Sequence, residues 1–319
     1  MPNVTVFAGI SLAMMLAAGA ADSQNYPSKP IRVYTSDTGG GADVSLRVIA
    51  QIISGPLGQQ VIVDNRGGGV VAGDIVAHAQ PDGYSLLYYG NSVWLLPFLR
   101  DAVPFNVNRD FTPITLATDS PSVLVVHPSL PAKSVRDLIA LAKSKPGAIN
   151  YASASTGTAN HLAAELFKWM AHVNMLRIPY KGNGQAVNAI VSGESQVMFP
   201  AAGSVGPQIK AGRMKALAVT SAKRVVAYPN VPTVAEAGVP GYEATSLIGM
   251  FAPAKTPAAI ITRMNREVVA ALHRPEVVER FQNLGVDTVG STPEQFAQRI
   301  ELEVKSMGKM IKDAGIGEK

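Results

Sequence analysis

The chain has 319 residues, 47% of them hydrophobic and 16% charged, with 28 Lys and Arg against 23 Asp and Glu and no Cys. That length supports one large domain or two middling ones, each with a real core. Without Cys there are no disulfides, thiolate metal sites, Cys nucleophiles, iron–sulfur clusters or lipid-modified N-terminal Cys, and a net charge of +5 is a mild bias towards anions, not a nucleic-acid footprint.

Residues 1–20 read as an export signal. Val4 to Ala20 is apolar, no charged side chain precedes Asp22, and Ala18-Gly19-Ala20 has the small-x-small form of a cleavage site. A transmembrane anchor is the rival reading, but the run is short for a span and its second half is Ala and Gly. The mature chain is expected to begin near Ala21 and to work outside the cytoplasm.

After this leader, short apolar runs alternate with helical patterns. Strands are predicted at Ile31–Thr35, Val61–Asp64, Ser85–Tyr89, Val123–Val126, Asn150–Ser153, Leu176–Ile178, Val197–Phe199 and Ala216–Thr220, each bounded by Gly, Pro, Asn or Asp. Between them, helices are predicted at Ala42–Ile53, Ala72–Ala79, Val135–Lys143, Ala159–Ala171, Gln185–Ser192 and Val205–Ala211, the last two stopped by Gly193 and Gly212. Such alternation gives parallel sheets with helices on both faces. The C-terminal section is helical. Thr256-Pro257 opens one helix, Pro275–Leu284 is a second, and the capping box Thr292-Pro293-Glu294-Gln295 opens a third with Phe296, Ile300, Val304, Met307 and Ile311 on one stripe.

Eight strands are many for one doubly wound sheet. A polar break at Thr118–Ser122 and an irregular stretch from Tyr228 to Thr245 divide the pattern. Two crossings imply two α/β lobes, the first from residues 21–119 and 250–319 and the second from 120–249. Open α/β sheets bind ligands at the carboxyl ends of their strands, which places the site in the cleft between the lobes.

Enzyme signatures mostly fail. Gly67-x-Gly69-x-x-Ala72 imitates a dinucleotide fingerprint but is not on the first strand, and Gly39-Gly40-Gly41 lacks the Lys of a phosphate-binding loop. Ala202-Gly203-Ser204-Val205-Gly206 has Ala where a nucleophile elbow needs Gly. His161 and Glu165 share a helix face, but His172 falls about 16 Å along the helix, so no third metal ligand is evident. No cofactor, metal or nucleic-acid partner is expected. Two strand-to-helix loops make positive chemical sense: Ser36-Asp37-Thr38-Gly39-Gly40-Gly41 before Ala42, and Ser153-Ala154-Ser155-Thr156-Gly157-Thr158 before Ala159. Each would present backbone N–H groups and hydroxyls at a helix N-terminus, a receptor for carboxylate or phosphate oxygens.

The ordered series of local motifs resembles the periplasmic solute receptors of tripartite tricarboxylate transporters, the Bug or TctC-like family. It includes Tyr26-Pro27-Ser28-Lys29-Pro30-Ile31-Arg32, Gly39-Gly40-Gly41-Ala42-Asp43, Asp64-Asn65-Arg66 and Pro81-Asp82-Gly83-Tyr84. Asn150-Tyr151-Ala152-Ser153, Gly157-Thr158-Ala159-Asn160-His161-Leu162 and Pro179-Tyr180-Lys181-Gly182 follow, and the likeness runs from Tyr26 to about Gly315. The resemblance implies an α/β, type II periplasmic-binding-protein fold with two doubly wound lobes and a ligand cleft. It further implies a monomeric periplasmic receptor that closes on a mono- or dicarboxylate, aromatic acids included, and delivers it to a membrane permease of two subunits. Carried across, the ligand-binding positions are Ser36, Thr38, Gly40, Gly41 and Asp43 in one lobe and Ser153, Ser155, Thr156, Gly157, Thr158 and His161 in the other. Asn91-Ser92 and Pro200-Ala201-Ala202 line the rest.

Two departures from the family pattern stand out. Ser36-Asp37-Thr38 replaces an aromatic residue and prolines, and Pro200-Ala201-Ala202 replaces the family's Asp-Asn after Phe199. An ionised Asp37 facing the cleft would oppose a second ligand carboxylate. Tyr88, Tyr89 and Trp94 are either core residues or stacking partners for an aromatic ligand. An exported hydrolase using His161 beside Ser155 or Thr156, and a ligand-dependent sensor, are the alternatives.

Overall fold

The structure, a computed structural model, describes residues 26–36, 38, 41–67, 69–154 and 156–316, so the expected leader lies outside the described residues. In chain order the elements are β1 (Ile31–Thr35), α1 (Gly41–Leu57), β2 (Val61–Asn65), α2 (Val70–Ala77), β3 (Ser85–Gly90), α3 (Ser92–Leu99), α4 (Val107–Asp110) and β4 (Phe111–Pro121). There follow β5 (Val123–Val126), α5 (Val135–Ser144), β6 (Asn150–Ser153), α6 (Ala159–Ala171), β7 (Leu176–Pro179), α7 (Asn183–Ser192), β8 (Val197–Met198), α8 (Gly206–Lys210) and β9 (Lys215–Val219). The chain ends with β10 (Thr245–Pro253), α9 (Ala258–Leu272), α10 (Pro275–Asn283), β11 (Asp287–Thr288) and α11 (Pro293–Ala314).

The strands form two sheets, ordered β11-β4-β10-β3-β1-β2 and β7-β6-β8-β5-β9. In the first, β1 pairs in parallel with β2 and β3, while β10 runs antiparallel between β3 and β4. In the second, β6 pairs in parallel with β7 and β8, while β5 runs antiparallel to β8 and β9. The expected parallel alternation is thus corrected: both sheets are mixed. The reversed strands follow from the way the chain changes sheet. It leaves the first sheet along β4 and enters the second along β5 with only Ser122 between them. It returns through Ala244 into β10, which pairs back along β4 with Thr245 opposite Pro121 and Ser246 opposite Ser120. Thr118–Pro121 is therefore strand, not a break, and the first sheet is re-entered at Thr245 where the sequence reading places the boundary at 250.

Sequence patterning hides β4 and β10 for physical reasons. Pro113 removes one ladder donor from β4, and it lies opposite Phe251 beside a register shift where β4 bulges at Ile114. Gly249 interrupts β10 because a Cβ there would overlap the Phe296 ring of α11. Helix α3, SVWLLPFL, is apolar at every position after Ser92 and largely buried, so it carries no amphipathic signal. By contrast the capping box forms as its residues suggest: the Gln295 N–H donates to Thr292 Oγ1 at 3.2 Å and the Thr292 N–H to Gln295 Oε1 at 3.0 Å.

Leu46, Ile49 and Ile53 of α1 pack with Met264, Val268 and Leu272 of α9 over one face of the first sheet. A second cluster runs without interruption from the first sheet to the other, joining Trp94, Phe251 and Phe296 to Tyr151, Phe167 and Phe199. The crossing strands are therefore embedded in a core shared by both halves.

Candidate functional site

Helix α1 starts at Gly41 just beyond β1, and α6 starts at Ala159 just beyond β6. Both starts open on the same space. Two adjoining cavities, of about 510 and about 420 Å³, share Gly41, Thr158, Ala159, Ser246 and Ile248 in their walls. The larger is lined further by Ser36, Asn91, Ser92, Arg100, Thr156 and Gly157, and the smaller by Ala201. These are residues of both lobes, so the wall is assembled across the cleft. The positive ends of two helix dipoles and the Arg100 guanidinium bias the larger cavity towards an anion.

Several residues expected at the ligand do not belong to either cavity wall. Asp43 is buried, and its carboxylate accepts from Asn65 Nδ2 at 2.8 Å and pairs with Arg47 Nε at 2.9 Å. The same Asn65 amide donates to the Ser36 carbonyl at 2.7 Å, so the acid ties the first loop to β2 instead of facing the cavity. Thr38 is exposed and outside both walls, while Asp37, Gly40 and Ser155 lie outside the described residues.

The second loop is held by Arg177 on β7, a residue the sequence reading missed. Its guanidinium donates to Ser153 Oγ at 2.8 Å, Thr156 Oγ1 at 3.1 Å and the Ala154 carbonyl at 2.9 Å. Fully buried Ser153 is therefore a support, not a cavity residue. His161 is another. Its Nδ1 accepts the Gly157 N–H at 3.1 Å, which takes that amide away from a ligand oxygen. Burial, with Arg177 close behind, pulls His161 down to about 4, so the ring is neutral at neutral pH and carries its proton on Nε2. With Nδ1 occupied by Gly157 and the Thr156 hydroxyl by Arg177, the base–hydroxyl pair that a hydrolase needs is not formed at Thr156. Beneath the loop, the Tyr151 hydroxyl donates to Glu165, which also receives Lys168 Nζ at 2.8 Å. Burial and this carboxylate push the Tyr151 phenol well above its usual range, so it remains a donor.

Asn91, just before α3, fixes the cavity to the crossing strand, its Nδ2 donating to the Thr245 carbonyl at 3.0 Å and to Glu303 Oε1 at 2.6 Å. Trp94 and Tyr88 are buried core residues, and Tyr89 alone of the three aromatics reaches a cavity wall. Pro200 and Ala202 are buried outside both walls. Ser120, Ser122 and Ser246, at the crossing, join the wall of the smaller cavity without any motif to announce them. The lobes touch on both sides of the cavities. A Cβ on Gly157 would lie 2.9 Å from Leu99 Cδ1, and one on Gly203 would overlap the Leu284 carbonyl oxygen. Among the described residues no helix is long and apolar enough to cross a membrane.

Comparison with known proteins fits this geometry. A UPF0065 protein in the tcbD-tcbE intergenic region of a Pseudomonas sp. is 39% identical over 96% of this chain and 93% of its own length. Protein BugT of Bordetella pertussis is 34% identical over 99% and 98%. Among solved structures, an R. palustris protein with adipate superposes with a TM-score of 0.80 at 32% identity, covering 92% of this chain and 99% of that one. The periplasmic binding protein BugD superposes at 0.78 with 31% identity over 92% and 100%. MatC from Rhodopseudomonas palustris, with bound malate, reaches 0.77 at 28% identity over 90% and 100%. Family and fold are those of a solute-binding protein with two lobes. The model of the tripartite tricarboxylate transporter family receptor, TctC, matches residues 45–316, and the chain belongs to that family.

Proposed function

We propose that the protein is an exported periplasmic receptor that captures a small organic carboxylate between its lobes and hands it to a two-subunit membrane permease without chemical change. The lobes are residues 26–121 with 245–316, and residues 122–244. The observation that carries this reading is the convergence of the N-termini of α1 and α6, with Arg100, on one cavity walled from both sides of the cleft. Preformed N–H donors at helix ends hold a carboxylate without a matching count of Lys or Arg. The relatives solved with adipate and malate support the ligand class. Against the hydrolase alternative, the His161 Nδ1 lone pair is taken by the Gly157 N–H and so is not directed at the Thr156 hydroxyl.

A thermal-shift screen of the purified protein against organic acids tests the reading. A ligand at a hundred times its dissociation constant adds about 2.7 kcal/mol of stability, a rise in melting temperature of several degrees. Such a rise with at least one carboxylate, absent with its amide, is expected. A flat response to every acid would overturn the proposal.

A further inference from the structure

The two cavities differ in chemistry, and the difference bears on which acid fits. Among the described residues that line them, Arg100 is the only charged side chain, and it belongs to the larger cavity at the helix ends. The wall of the smaller cavity includes the apolar residues Ile248, Phe281, Leu284 and Val286. Its polar wall residues include Ser122, Ser246, Asn160 and Asn183, and Asn160 Nδ2 donates to Asn183 Oδ1 at 2.7 Å. Arg177, the cation nearest the second loop in its bonding, is turned on to Ser153, Ala154 and Thr156. Beyond Val44 and Leu284 the adjoining surface depression carries Glu276 and Glu279 against Arg280, so a chain reaching out of the cleft meets no net positive charge.

We infer that the ligand is an acid with a single charged group and an uncharged apolar body: its carboxylate sits at the helix ends and its aliphatic or aromatic body fills the smaller cavity. This rests on the receptor reading above and narrows it. Among the described wall residues of the smaller cavity a second carboxylate would lose its hydration without meeting a cation, and a terminal ammonium would find no carboxylate. Apolar atoms there displace water from Ile248, Phe281 and Leu284 with no such loss.

Calorimetry of the purified full chain with hexanoate, benzoate, adipate, 6-aminohexanoate and hexanamide tests this. Hexanoate or benzoate should bind at least tenfold more tightly than adipate and 6-aminohexanoate, with hexanamide weakest. Adipate or 6-aminohexanoate binding as tightly as the monocarboxylates would overturn the inference and leave the receptor reading standing. No binding by any acid at millimolar concentration would remove both. Leu284 is 47% exposed, so Leu284→Lys has little folding cost. It should bring adipate to within a few-fold of hexanoate by placing an ammonium at the apolar end. An undiminished tenfold preference for hexanoate in that variant would overturn the placement of the body.

Discussion

At the scale of single residues, side chains that support the cleft are as decisive as those that line it. His161 illustrates the point. Its helical position marks it as facing the loop, and it does, with Nδ1 accepting the Gly157 N–H. A sequence places a residue on a face; it does not say which partner will claim it. Asp43 is claimed by Asn65 and Arg47, and the Ser153–Thr156 loop by Arg177, more than twenty positions away on a neighbouring strand. Gly41, Thr158 and Ser92 were legible because glycines and hydroxyls at a strand-to-helix turn have few other uses. His161 also yields a direct measurement. With its folded value near 4 against 6.5 for the free side chain, it should show no NMR titration between pH 8 and about pH 5. The unfolded chain binds this proton below about 6.5, so His161 lowers stability as the pH falls through that window. A ring that titrates at its ordinary value would contradict both the burial and the Gly157 bond.

At the scale of elements, α11 links the C-terminus of the chain to the crossing strands. Glu303 of α11 lies buried under α3, accepting from Asn91 at 2.6 Å and from Trp94 Nε1 at 2.8 Å. Burial raises its carboxyl to about 7 from 4.5, with Asp119 adding to the rise, while the Asn91 and Trp94 hydrogen bonds and Arg299 oppose it. The folded protein therefore keeps a proton that the unfolded chain gives up. Its contribution to stability is present in full below about 4.5 and is lost as the pH rises to 7, on the order of 3 kcal/mol. His161 pulls the other way below 6.5, and Asp119 and Asp287, also raised, act in the same sense as Glu303. The difference between wild type and Glu303→Gln isolates the one group. Gln leaves one of the two donors poorly met, which lowers stability by a constant offset; the readout is the slope. The wild-type melting temperature, relative to Glu303→Gln, should fall by several degrees between pH 5 and pH 7.5. Parallel profiles would mean that Glu303 is ionised throughout. This contact joins elements over two hundred positions apart, and no local periodicity encodes it. The same is true of β4 and β10, whose Pro113 and Gly249 have reasons that exist only in the assembled sheet.

At the scale of the whole molecule, motion is confined by what the two lobes share. The cluster of Trp94, Phe251 and Phe296 with Tyr151, Phe167 and Phe199 lies on the hinge side, where Ser122 and Ala244 are the links between strands. Separation of the lobes would part the contact where Gly203 meets the carbonyl of Leu284 and the amide region of Gly285. The turn that carries Gly203 is pinned to its own lobe by Tyr228, which donates to the Ala202 carbonyl at 2.6 Å, so it cannot yield easily. Gly203 does not have a positive φ, and an added methyl group strains nothing while the lobes are apart. Gly203→Ala should leave the melting temperature of the ligand-free protein unchanged within about 1 °C. It should weaken binding of any acid found in the screen by roughly tenfold to a hundredfold, because the ligand must now work against a disfavoured closed state. Small-angle scattering should also show less contraction on ligand addition than in wild type. Gly55→Ala, on α1 with open space around the new methyl group, is the control and should bind normally. Equal affinity in Gly203→Ala and wild type would show that the liganded receptor does not bring these two backbones together, and would move the closing contact to Leu99 and Gly157 on the other side of the cleft.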